Sequence, residues 1–113
     1  ISFCRFKTLS IEYFPKMFYW ERTLWENALS LDPKIEKDSP FYPKRFTLYK
    51  EIFIGHTPVT RVGETTPMNR ANVWNMDTGA AFRGPLTILS VDTKEFWQSD
   101  PLPELYPEEN GRN

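Results

Sequence analysis

Apolar positions recur at helical spacing in one clear stretch of this chain. Over Trp20–Ser30, Leu24 and Ala28 stand four apart, as do Trp25 and Leu29, which predicts a helix over residues 20–30. Asp32-Pro33 closes it, because the residue before a proline is pushed out of the helical region. Residues 31–50 read as a charged, proline-bearing connection, with a short amphipathic helix near Lys44–Lys50. From there the pattern turns to strands. Glu51–Ile54 is a short apolar, β-branched run closed by Gly55, and predicts a buried strand. Residues 55–71 read as a long loop, Asn72–Met76 as a strand, and Asp77–Ala81 as a turn. Leu86–Val91 and Glu95–Gln98 flank Asp92-Thr93-Lys94, which predicts an antiparallel hairpin within Leu86–Ser99. Residues 1–19 are aromatic and irregular; alternation over Ile11–Phe14 suggests a short strand ended by Pro15. Residues 100–113 read as a proline-spaced acidic tail, solvated from Glu108 onward. The fold class is therefore α+β, one main helix followed by a β-rich half. A fourteen-residue hairpin and isolated strands do not make a self-sufficient sheet, so a missing amino-terminal half or a partner chain, such as a second copy in a homodimer, is expected to complete it.

Composition sharpens this picture at a few points. With 113 residues there is room for one modest domain. Aromatic residues are 16% of the chain, which lends a small core much area per residue. Ten prolines argue against long helices. Net charge is −1 with signs interleaved, and Lys44-Arg45 is the densest basic stretch, so nothing resembles the basic footprint of a nucleic-acid binder. The single cysteine, Cys4, excludes an internal disulfide and a thiolate metal cluster, and fits the reducing cytoplasm. No apolar run reaches the roughly 18 residues of a membrane span. The chain does not open on Met, which points to a longer gene product or to processing.

Candidate chemistry gathers at the only histidine, His56, in Ile54-Gly55-His56-Thr57-Pro58. It stands where a buried strand breaks into a loop, with Gly55 expected to let the chain turn and Pro58 to fix its exit. Two uses are open to such an imidazole: metal ligation, or a structural hydrogen bond at a strand end.

The string IFIGHTPV (52–59), followed by NVWNMDTGAAFRGPLTILSVDTKEFWQSDP (72–101), resembles the C-terminal end of calcineurin-like metallophosphoesterases. The similarity is closest to the bacterial branch holding serine/threonine protein phosphatases and symmetrical diadenosine tetraphosphatases. It follows the family order through residues 51–99. Trp20-Glu21-Arg22 further resembles that family's Trp-x-Arg element. The resemblance implies one domain over residues 1–113, the C-terminal portion of an α/β/β/α sandwich, with 20–99 as family-like core. It implies His56 as a metal ligand, and Arg22 as the guanidinium that grips phosphate, although Arg22 reads equally as an ordinary surface arginine on a helix. Two divalent ions (Mn, Fe or Zn) about 3.5–4 Å apart would share a bridging water in the intact enzyme. The departures are as informative. The family's Asp-x-His, further Asp and Asn-His elements are absent, and residues 1–19 contain no histidine before Trp20. Arg83 and Pro85 also depart from the family's usual small and basic residues. One ligand cannot hold a catalytic ion, so the chain alone is expected to be inactive and metal-free. Two readings follow: part of a phosphoester hydrolase acting on a phosphoprotein or a dinucleotide polyphosphate, or a non-catalytic binding or dimerising module derived from one.

Overall fold

The computed structural model describes residues 3–6 and 22–111, and the expected strand at Ile11–Phe14 lies outside them. The class is α+β: helices beside two small sheets. The chain divides into two compact units, one formed by residues 1–56 and 69–75, the other by 57–68 and 76–113.

In the first unit the main helix, α1, runs Thr23–Ser30 and buries Leu24, Trp25 and Ala28 of the predicted stripe, while Leu29 is half-buried. Leu31 is already extended, one residue before the Asp32-Pro33 step expected to close the helix. A one-turn helix, α2, spans Lys44–Thr47. It is shorter than expected, because Tyr49 and Lys50 already belong to the next strand. Four strands form a mixed sheet: β1 (Phe3–Phe6), β2 (Tyr49–Ile54), β3 (Met68–Arg70) and β4 (Val73–Asn75), in the order β1-β2-β4-β3. β1 pairs antiparallel to β2 with Phe3 opposite Phe53, a strand the irregular sequence of residues 1–19 did not announce. β4 pairs parallel to β2 with Ile52, Phe53 and Ile54 opposite Val73, Trp74 and Asn75. Ile52, Phe53 and Ile54 are consecutive and all buried, so both faces of this central strand are covered, as is usual for strands in parallel pairing. α1 packs against β4 and α2 against β2. Phe53 and Trp74 stack across the parallel pair at 6.4 Å, and Tyr42 meets Phe46 edge-on at 6.0 Å.

Residues 55–71 are not the featureless loop expected from their glycines and prolines. They hold a 3-10 turn, Val59–Val62, and strand β3. β3 is joined to β4 by Ala71-Asn72, with Ala71 in the left-handed region at φ 54. Asn69 steadies this corner by donating from Nδ2 to the carbonyls of Ala71 and Val73.

The second unit contains the expected hairpin, β5 (Thr87–Leu89) with β6 (Phe96–Gln98), Ile88 opposite Trp97. Its turn folds back by Ser90 N–H to the Glu95 carbonyl, with Lys94 left-handed at φ 63. A helical turn absent from the sequence reading, α3, spans Leu102–Leu105. Val59 is fully buried and donates its N–H to the Asp77 carbonyl at 2.8 Å. Asp77 accepts the Gly79 N–H on Oδ1, closing the predicted Asp-Thr-Gly turn. Gly84 must lack a side chain: a Cβ there would stand 2.0 Å from the Thr78 carbonyl oxygen.

Candidate functional site

The carboxyl ends of the parallel pair β2 and β4 are marked by Ile54 opposite Asn75, and the latter is fully buried. Two residues beyond Ile54 stands His56. Its backbone is left-handed, φ 76, and its side chain is partly exposed. The left-handed turn thus falls on the histidine itself rather than on Gly55, a correction to the expected role of that glycine. The sequence could not reveal this, since Gly is the default at such a position and His is a minority occupant. For an L-residue this geometry costs about 1–2 kcal/mol. Backbone strain of this kind persists where the surroundings over-determine it, and it concentrates at active sites and ligand clamps. Open sheets with parallel strands bind their ligands off the carboxyl ends of those strands.

Arg22 sits at the start of α1. Its backbone is already helical, its carbonyl accepts the Glu26 N–H at 3.1 Å, and its side chain is exposed. Arg22 and His56 belong to the same unit, one entering the helix that packs on β4, the other leaving β4's parallel neighbour. No hydrogen bond or ion pair ties Arg22 to His56. Among the described residues no group of three or more His, Cys, Asp or Glu side chains gathers to hold a metal ion. The donor set around His56 therefore does not by itself fit a metal ion. Among these residues no helix is long and apolar enough to cross a membrane.

A residue the sequence reading passed over has the most demanding polar surroundings. Asn72 is 9% exposed, and its Nδ2 donates to the carbonyls of Phe46 at 2.7 Å, Tyr49 at 2.9 Å and Lys50 at 3.4 Å. Its own carbonyl accepts the Ile52 N–H at 2.9 Å. The amide thus fastens the entry of β2 to β4, while its Oδ1 is buried without a hydrogen-bond partner. The sequence places Asn72 at the start of the strand Asn72–Met76 and gives its side chain no role, so only long-range contacts disclose the clamp. Asn72 lines a cleft of about 410 Å³ with Lys37, Asp38, Tyr42, Phe46, Thr47, Tyr49 and Lys50. A second cleft of about 420 Å³ shares Tyr42 and lies against Leu31, Pro33, Ile35 and Arg70. Neither is lined by His56 or Arg22. Burial pushes the Tyr42 phenol above its usual 10.0.

No family model matches the chain, and neither a curated protein nor a solved structure does.

Proposed function

We propose that the chain is the C-terminal portion of a metal-dependent phosphoester hydrolase of the calcineurin-like kind, a serine/threonine protein phosphatase in its substrate class. The observation that carries this reading is the strained backbone of the only histidine, at the carboxyl end of a parallel strand pair. On this reading His56 contributes one imidazole to a pair of Mn, Fe or Zn ions whose other ligands come from outside the described residues. When bound, those ions would lower the pKa of a water and neutralise phosphate charge. Arg22 offers a planar fork of donors to the phosphate oxygens, and its exposure leaves the guanidinium free to reach them. The α/β/β/α sandwich belongs to the same proposal, as does a cytoplasmic location. A dinucleotide polyphosphate is the alternative substrate.

A second reading, a non-catalytic binding module descended from such a hydrolase, draws on one observation: Leu86, Ile88 and Trp97 are displayed at the surface.

Manganese-dependent hydrolysis of a chromogenic phosphomonoester by the full gene product separates the two. The first reading expects turnover that falls on the order of 100-fold or more in His56→Ala, with Arg22→Ala raising KM or lowering kcat. It also expects no turnover above background from the 113-residue chain alone. Turnover in the full product that His56→Ala leaves intact sinks the metal-ligand assignment. A coding sequence that starts at Ile1 sinks the phosphatase.

A further inference from the structure

The hairpin β5–β6 displays large apolar side chains at the surface. Alternation puts Thr87 and Gln98 on one face, and Leu86, Ile88 and Trp97 on the other. The Thr87 face also carries Leu89 and Phe96, the latter 42% exposed, and its polar side chains are bonded to one another. Gln98 Nε2 donates to Thr87 Oγ1 at 3.0 Å and to the Thr65 carbonyl at 2.7 Å. The Thr78 hydroxyl donates to the Pro85 carbonyl at 2.7 Å, so the 2.6 Å contact between Thr78 and Thr87 must be donated by Thr87. One directed chain of hydrogen bonds therefore runs Gln98, Thr87, Thr78, Pro85. Meanwhile Leu86, Ile88 and Trp97 are 58%, 63% and 59% exposed. A one-residue slip would exchange the faces, and the hydrogen-bond chain forbids it. Three large apolar side chains displayed together on one face of a surface hairpin mark an interaction site.

Charge says what covers it. Residues 86–113 hold six carboxylates against two basic residues, a net charge of −4. Asp92 and Glu95 flank the turn, and Asp100 follows β6 at the other end. The Leu102 N–H donates to the Gly84 carbonyl, which keeps the segment bearing Glu104 beside the entry to β5. All four carboxylates are exposed.

We propose that this face docks a basic amphipathic helix of another polypeptide, its apolar stripe on Ile88 and Trp97 and its lysines or arginines over the acidic ends. A helix laid on a sheet face uses such a stripe, with anchors one turn apart. A second copy would bring two acidic rims together, and an anionic lipid surface would meet the same repulsion.

The test uses the purified chain and a fluorescein-labelled Leu/Lys amphipathic peptide of about 18 residues, five helical turns, read by anisotropy. A counterpart with Glu at every Lys is the control. Saturable binding of the basic peptide alone is expected, weakening as salt is added. Affinity should fall about tenfold or more in the double variant Ile88→Thr, Trp97→Thr, the loss of an interface anchor. It should fall similarly in Glu95→Lys, Asp100→Lys. Both variants alter exposed side chains, and an unchanged circular dichroism spectrum verifies that they fold. Equal binding of the two peptides overturns the proposal, as does basic-peptide binding that survives loss of Ile88 and Trp97. A dimer in sedimentation equilibrium that the apolar variant dissolves would assign the face to a second copy. Co-sedimentation with phosphatidylcholine–phosphatidylglycerol vesicles without peptide binding would assign it to lipid. Either result refutes the helix.

Discussion

His56 holds a left-handed backbone that glycine would adopt at no steric cost. His56→Gly and His56→Ala both delete the imidazole and its contacts, so comparing them isolates the backbone. We expect His56→Gly to unfold at higher urea than His56→Ala, by about 1 kcal/mol. Equal stabilities would mean that the strain is not there. Tyr42 supplies a titration at the same scale. Burial disfavours its phenolate, so the folded pKa lies above the unfolded value of 10.0. The resulting stability is complete below that value and is lost as pH rises through the folded pKa, since the unfolded chain releases the proton first. Urea midpoints measured from pH 8 upward should therefore decline beyond about pH 10, and more steeply in the parent than in Tyr42→Phe. Of the two proposed site residues, the position of His56 at a strand mouth was legible, because a β-branched run ending in Gly is a local signal. Its left-handed backbone was not, because the sequence shows which residue can turn and not which one does.

The elements divide along the same line. α1, β2, β4 and the hairpin were legible from periodicity, since each carries its pattern within a few residues. α2 was cut short by the start of β2, and β3 and the 3-10 turn were hidden in a stretch whose glycines and prolines read as loop. The clamp by Asn72 was invisible for a different reason: its three acceptors lie 22 to 26 residues upstream. It nevertheless decides how β2 enters the sheet. Asn72→Ala leaves the Phe46 and Tyr49 carbonyls without this donor and should cost about 2 kcal/mol in chemical denaturation. Asn72→Asp should cost more, because an acceptor would then face three acceptors. A loss within about 0.5 kcal/mol for both, the level of an ordinary surface change, would show that the amide fastens nothing.

At the scale of the molecule, chain order and spatial order disagree. The first unit takes its β4 from residues that follow a stretch belonging to the second, so the chain passes between the units at 56–57, 68–69 and 75–76. No single cut there yields both units whole. A chain ending at residue 68 keeps α1, α2 and β2 but lacks β4, and should show no cooperative urea transition, whereas the full chain should show one. A sharp transition in the shortened chain would mean that the parallel pairing is dispensable. Pairs far apart in sequence pay more loop-closure entropy, which also makes them slow to form.

That delay has a consequence during synthesis. Ile52, Phe53 and Ile54 leave the ribosome well before Val73, Trp74 and Asn75, the strand that will cover them. For that interval β2 is a nascent strand with an unpaired hydrogen-bonding edge and three adjacent apolar side chains, the kind of segment that pairs with strangers. Lys50 and Glu51 in the first half of β2, and Thr57-Pro58 shortly after it, are the charges and the missing N–H that keep this sticky window short.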